Sequence, residues 1–204
     1  MYSCAIHKDP TSRAGGTPFV NTFLLALGAN VAGEWGNPCE TLLRARRELE
    51  CRGVRTMRAS GLYTTYPLGP GRQARYVNAV LRVEPVIAPA VLLRLVKGIE
   101  RRAGRRMPRH WGPRCLDIDV LDLGGRRLGW PPRRREPNRL ILPHPEMHAR
   151  AFVLVPLLEI ERHWRHPVLG VSARTLLAKL GPVARSSVRQ ILDFAGPTCD
   201  KEPR

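Results

Sequence analysis

The sequence predicts an α+β domain built on an antiparallel sheet, and three observations carry that prediction. Short apolar runs of strand length alternate with two amphipathic stretches of helix length. Both helical stretches open on a proline, Pro38 and Pro89, and close on a glycine, Gly53 and Gly104. At 204 residues, the chain suits one domain with appendages and is long enough to bury a core.

Residues 1–20 are rich in Gly, Pro, Ser and Thr and are expected to form a flexible N-terminal tail. Residues 22–27 (TFLLAL) form a continuous apolar run ending at Gly28, as a buried strand does. Asn37-Pro38-Cys39-Glu40 supplies an N-cap, a proline at the first helical position and an acid at the third, so a helix runs on through Leu42, Leu43, Ala45 and Leu49. Residues 54–63 and 76–84 read as strands on either side of the punctuated loop Pro67-Leu68-Gly69-Pro70-Gly71. The second helix sets Leu92, Leu93, Val96 and Ile99 on one face. Residues 115–123 read as another strand and 124–138 as a basic, Pro-rich loop insert. An apolar element over 152–160 and a short helix over 172–180 follow, with a loose C-terminal tail over 182–204. The order β-α-β-β-α-β is that of a ferredoxin-like sandwich over residues 21–181, with additions after the last core strand.

Charge is the most obvious lead. The chain carries 34 Lys+Arg against 17 Asp+Glu, a formal +17, and only Lys8, Lys97, Lys179 and Lys201 of the basic residues are lysines. That excess suits nucleic acid, an anionic surface or a phosphorylated small ligand, and arginine is the better bidentate phosphate partner. No apolar run approaches the roughly 20 residues of a membrane-spanning helix, and no uninterrupted apolar segment of the signal-peptide kind opens the chain. Cys4, Cys39, Cys51, Cys115 and Cys199 form an odd set without a CxxC pair, so reduced thiols and a cytoplasmic setting are expected.

The sharpest chemical feature is Arg114-Cys-Leu-Asp117-Ile-Asp119. On a strand, carboxylates at i and i+2 share a face with Cα atoms roughly 7 Å apart, while Leu116, Ile118 and Val120 point the other way. Two such carboxylates repel unless a cation offsets them, and Mg²⁺ with substrate phosphates is the natural one. On its own such a pair is more often two acids on a solvent face. Guanidinium donors from Arg105 to Arg150 make phosphoryl transfer the stronger reading. There is no P-loop and no G-x-G-x-x-G, so side chains must hold the phosphates. His144-Pro-Glu-Met-His148 spaces two histidines like a zinc pair but misplaces the acid and puts a proline between them, and His163 and His166 lack partners in sequence; no zinc site is predicted.

The stretch from His110 to Leu121, HWGPRCLDIDVL, resembles the signature of the 6-hydroxymethyl-7,8-dihydropterin pyrophosphokinase family. Further matching pieces stand in order: Leu27-Gly-Ala-Asn30, Tyr63-Thr-Thr-Tyr-Pro-Leu-Gly-Pro70, Gln73, Tyr76-Val-Asn-Ala79, Ile99-Glu100, Gly104-Arg105, Arg139-Leu-Ile-Leu-Pro-His144 and the run from Arg150 to Ile160. The similarity implies Mg-dependent transfer of diphosphate from ATP to hydroxymethyldihydropterin in folate biosynthesis, releasing AMP. It also implies residue roles. Asp117 and Asp119 hold two Mg²⁺ ions, and Arg105 and Arg114 join them as catalytic groups. Lys97, Glu100, Arg139, His144 and Arg150 surround ATP. Thr65, Tyr66, Leu68, Tyr76, Asn78, Trp111 and Phe152 form the pterin site, where two aromatic faces and an amide suit a flat heterocycle.

Against the family pattern, the stretch between Gly104 and Trp111 is one residue short, the loop over 124–139 is longer, and Ala29 replaces the usual Ser. The expected protein is a monomer acting on small molecules, with no membrane and no specific nucleic-acid partner. The competing readings are a nucleic-acid-binding module, which leaves the Asp pair unexplained, and an inactive relative that binds a partner through the basic residues 126–135.

Overall fold

The run FLLALGA folds as β1 (Phe23–Ala29), and its near-continuous burial follows from its place at the middle of the sheet with both faces covered. The computed structural model describes residues 22–67, 73–85, 87–105, 112–131 and 140–194. Among them lie six strands and five helices in a mixed α/β arrangement around one antiparallel sheet. The strand order is β5-β1-β4-β3-β6, with β2 also pairing β4. Here β2 is Val54–Ala59, β3 Leu62–Thr65, β4 Tyr76–Pro85, β5 Asp117–Leu123 and β6 Arg189–Leu192.

Alternation along the strands splits the core in two. Leu25, Leu27 and Ala29 of β1 face α1 (Pro38–Glu50) and α2 (Pro89–Arg102), packing with Leu42, Leu49, Val96 and Ile99. Leu24 and Ala26 face the opposite layer of α3 (Ala151–Ile160) and α4 (Ala173–Lys179), against Val153, Leu157 and Leu176. The α1 start is the predicted capping box: the Asn37 side chain accepts from the Glu40 amide at 3.1 Å, and Glu40 accepts from the Asn37 amide at 2.8 Å. Both terminal glycines adopt positive φ, +81° at Gly53 and +94° at Gly104, the conformation that ends a helix without a Cβ penalty.

Two features depart from the sequence reading, and a third gains the element type that the sequence left open. The strand expected over 54–63 is two, broken at Ser60-Gly61, where Ser60 Oγ takes the Val80 amide at 2.9 Å and the Glu159 carboxylate takes the Gly61 amide at 3.0 Å. The apolar element over 152–160 is helical, and its Pro156 is buried. The stretch from Gly181, read as a tail, holds α5 (Gly181–Ser186) and β6. All four β6 side chains are exposed, so hydropathy gave no signal, and backbone pairing with β3 holds the strand. Phe194 then inserts with 1 % exposure, and Arg46 Nη1 donates to its carbonyl at 2.7 Å. The expected tail over 1–20, residues 132–138 of the insert and residues 195–204 lie outside the described residues.

His166 is fully buried among Trp130, Trp164 and His148, and its Nδ1 accepts the Val168 and Leu169 amides at 3.2 Å. Burial, reinforced by His148, lowers its pKa from 6.5 to about 4. The unfolded chain therefore takes up this proton first. Stability from the neutral ring is complete above about pH 6.5 and is lost as pH falls toward about 4. The group adds a slope of up to about 1.4 kcal/mol per pH unit to the unfolding free energy in that window. Denaturant unfolding of wild type and His166→Asn across the window tests this: the variant is expected to lose that slope, and parallel curves contradict it.

Candidate active site

One face of β4, β1 and the edge strand β5 is apolar at one end and polar at the other. The apolar end, with Leu24, Val80 and Leu121, packs under α3 and α4. At the polar end the register sets Gly28 of β1 between Asn78 of β4 and Asp117 of β5, and pairs Ala26 with Asp119. The small side chains of Ala26 and Gly28 leave open the floor of a cleft of about 340 Å³. Thr65, Tyr66, Tyr76, Asn78, Arg114, Asp117, Asp119, Arg150 and Phe152 line it, so nine of the sequence-predicted residues converge. Gly28 is needed for space rather than for backbone conformation: a Cβ there sits 3.3 Å from Asn78 Oδ1.

The heterocycle-sized side of the cleft is built on β3 and β4. Asn78 is buried, and its Nδ2 donates to Thr65 Oγ1 at 2.9 Å, which turns Oδ1 toward Gly28 and the cleft. The Tyr76 hydroxyl is raised above its ordinary pKa, by burial first, and donates to the Gly112 carbonyl at 3.5 Å. Tyr66 stands exposed at the mouth, with the Arg75 guanidinium 4.3 Å from its ring centroid. Phe152, at the start of α3, supplies an aromatic wall beside Arg150.

The charged side centres on Asp117. Arg105 Nη1 meets Oδ1 at 2.5 Å, and Arg114 Nη1 bonds Oδ2. Burial alone would raise this carboxyl, but Arg105 and then Arg114 outweigh it and hold the pKa below the ordinary value. Behind them Glu100, 2 % exposed, accepts from the Ile118 amide at 2.8 Å and Lys97 Nζ at 2.9 Å, and pairs with Arg105 at 2.7 Å. Burial raises the Glu100 pKa against these partners. Lys97 thus sits behind the cleft rather than on its wall.

Asp119 is less encumbered: Arg150 Nη1 lies 3.6 Å and His144 Nε2 3.9 Å from its Oδ2. His144 Nδ1 accepts the Glu146 amide at 3.2 Å, which leaves Nε2 as the protonated nitrogen turned toward Asp119. Burial, with Arg150 nearby, depresses the His144 pKa although Asp119 opposes the shift. Leu68, Trp111 and Arg139 lie outside the described residues.

Asn30 has a structural part that its motif did not reveal. It is buried; Oδ1 accepts the Arg114 amide at 2.7 Å, while Nδ2 donates to Gln73 Oε1 at 3.3 Å and the Ala74 carbonyl at 3.4 Å. It therefore ties the segment entering β4 to the one entering β5. Glu146, which lines the cleft and pairs with Arg150, also went unselected; the i, i+4 spacing was the available signal.

The carboxylates fit a hard divalent cation. Both are oxygen donors on one strand face opening on the cleft, and Asp119 keeps its oxygens clear of close cationic partners. Among the described residues no cluster of three or more His, Cys, Asp or Glu could hold a metal alone. A cation here must complete its shell with water or ligand oxygens, which is the habit of Mg²⁺.

Comparison with known proteins bears on the same residues. The model of the 7,8-dihydro-6-hydroxymethylpterin-pyrophosphokinase (HPPK) family matches residues 24–162. The chain is 37 % identical over 140 residues to the 2-amino-4-hydroxy-6-hydroxymethyldihydropteridine pyrophosphokinase of Haemophilus influenzae, covering 68 % of this chain and 81 % of that protein. With the enzyme of the same name from Pseudomonas aeruginosa it shares 39 % over 144 residues, 70 % of this chain and 82 % of that one. Among solved structures, an HPPK-DHPS variant of Plasmodium falciparum superposes with a TM-score of 0.64 at 16 % identity, a likeness of fold. That match covers 83 % of this chain but 48 % of the other, so the chain spans about half of that longer protein.

Removing the Glu100 carboxylate strands the Ile118 amide and one side of Arg105 in a buried setting. Glu100→Ala is expected to cost about 2–4 kcal/mol in urea unfolding, and Glu100→Gln, which still accepts from Ile118, about half that. Equal loss in the two variants contradicts the assignment of that amide contact.

Proposed function

The chain belongs to the 7,8-dihydro-6-hydroxymethylpterin-pyrophosphokinase family, and from that premise we propose that it transfers diphosphate from ATP to 6-hydroxymethyl-7,8-dihydropterin, giving AMP and the pterin diphosphate. The observation that carries the reading for this chain is the row Asn78–Gly28–Asp117 across three strands. It sets an amide fit for a heterocycle edge beside a carboxylate fit for a phosphate-bound cation.

In this reading the pterin enters the side lined by Thr65, Tyr76, Asn78 and Phe152, with Tyr66 at the rim; the family resemblance adds Leu68 and Trp111, which lie outside the described residues. Asn78 Oδ1, already oriented by Thr65, accepts from a ring N–H. ATP lies on the side of Asp117 and Asp119. The hydroxymethyl oxygen attacks the β-phosphorus, the bond from that phosphorus to the α-phosphate oxygen breaks, AMP departs and the hydroxyl proton is released. Asp117 and Asp119 would hold two Mg²⁺ ions, whose chemistry when bound would be neutralisation of charge on the phosphate oxygens.

Arg105 and Arg114 hold the Asp117 carboxylate ionised and stand ready to turn toward phosphate oxygens. Glu100 and Lys97 keep Arg105 at its post. Arg150 and His144 complete the cationic and hydrogen-bonding side, His144 donating through Nε2; Arg139 joins them by the family resemblance alone.

We read the β1-α1-β2/β3-β4-α2-β5 core as ferredoxin-like and the catalytic unit as residues 21–181, with β6 added to its edge. The thiols of Cys39 and Cys115 suit a reducing, cytoplasmic setting, and we read the enzyme as a monomer. No helix among the described residues is long and apolar enough to cross a membrane.

Protein mixed with Mg²⁺, ATP and the pterin is expected to release AMP only when all three are present. Asp119→Ala is expected to lower the rate roughly 100-fold or more, as loss of a metal-holding carboxylate does. Absence of AMP from the wild type, or an undiminished rate in Asp119→Ala, defeats the reading.

A further inference from the structure

The stretch 126–131 opens the basic insert, which the catalytic reading leaves without a role. It is nevertheless stitched to the arm that carries His144 and Arg150. Leu128 and Leu142 exchange backbone hydrogen bonds at 2.8 and 2.9 Å. Two residues after Leu128, Trp130 Nε1 donates to the carbonyl of Pro143, the residue after Leu142, at 3.0 Å. The peptide after that carbonyl is that of His144, whose amide donates to Leu121 of β5 at 2.8 Å. The start of the arm is thus gripped from both sides, by β5 and by Trp130.

Its far end rests on the same support. A short 3-10 turn, Met147–Ala149, lies between His144 and Arg150. His148 in that turn sets its ring edge-on to His166 at 6.0 Å, and His166 in turn meets Trp130 at 6.0 Å and Trp164 at 5.7 Å. His148 Nδ1 and His166 Nε2 are buried without hydrogen-bond partners, so ring packing holds this box together. Trp164 Nε1 ties it back to Asp122 of β5 at 3.0 Å, three residues beyond Asp119. Tryptophan suits the central place because it combines a large apolar body with one N–H donor at its edge.

We propose that Trp130 is a positioning residue for the nucleotide side of the site: it fixes both ends of the Pro143–Arg150 arm and so sets where His144 and Arg150 stand relative to the carboxylates on β5. Of the residues on the pterin side, Thr65, Tyr76 and Asn78 stand on β3 and β4 rather than on this arm, and Phe152 alone follows it, on α3 beside Arg150. The insert that follows β5 therefore opens with a strut for catalysis. This rests on the assignment of ATP to the His144 and Arg150 side.

The test compares wild type with Trp130→Phe, which keeps a ring and removes the N–H. The ATP KM, and the Kd of a non-hydrolysable ATP analogue by calorimetry, are expected to rise about 5- to 10-fold, the effect of losing one ordinary hydrogen bond's worth of positioning. The pterin KM is expected to rise less than the ATP constants, by about twofold at most, since Thr65, Tyr76 and Asn78 are held by β3 and β4 and only Phe152 adjoins the arm. His166→Asn retains an acceptor for the Val168 and Leu169 amides but removes the ring against which Trp130 rests; it is expected to shift the same constants in the same direction. An unchanged ATP constant in Trp130→Phe, or ATP and pterin constants moving together with the thermal midpoint, overturns the proposal. If the wild type binds the analogue yet forms no AMP, the functional reading fails, and the analogue Kd of the two variants still decides the proposal.

Discussion

The pairing register of β4, β1 and β5 is the constraint on which the rest of the molecule depends. It sets Gly28 between Asn78 and Asp117 and Ala26 opposite Asp119. A slip of one residue in β1 would turn Leu25 and Leu27, both buried against α1 and α2, to the other face of the sheet, and would put leucines on the floor of the cleft. Core packing and site geometry are therefore enforced by the same hydrogen bonds. The two faces of β1 answer to different demands: large side chains where a helix layer must be met, and almost none where a ligand must be admitted.

The electrostatic arrangement is layered in a similar way. Glu100 is buried and stays tolerable because Lys97, Arg105 and the Ile118 amide all satisfy it. Arg105 links that carboxylate to Asp117, and Arg114 closes on Asp117 from the other side. Alternating charges at these distances offset part of one another's desolvation costs, and the guanidiniums of Arg105 and Arg114 are held at Asp117 instead of folding away over the surface. A formal charge of +17 thus includes a small, organised part with a defined task. The outward-facing arginines of α1 and α2, such as Arg44, Arg94 and Arg101, lie away from the cleft and take no part in it.

Much of this was legible in the residues because the deciding signals were local. The Asn37–Glu40 capping box, the closing glycines and the i, i+2 spacing of Asp117 and Asp119 each involve neighbours in sequence. The family resemblance drew together residues that the fold brings into one cleft, from Thr65 to Phe152. What stayed hidden was non-local or carried by the backbone. Residues 152–160 are apolar nearly all round, so their period could not separate helix from strand. β6 has no buried side chain to announce it. Asn30 joins segments 43 and 84 residues away, and Trp130 meets His166 across a separation that no motif spans.

The late arrival of β6 also shapes how the chain is made. β3 is four residues long, and one of its edges is covered only by a strand that begins at Arg189. During synthesis nearly the whole sheet is available before that edge can be closed, and an uncovered edge strand is a template for pairing with other chains. Phe194, seated beneath Arg46, acts as the clasp that keeps the cover in place. A nascent or clipped chain that stops short of that phenylalanine would retain every side chain that lines the cleft and still be prone to aggregate.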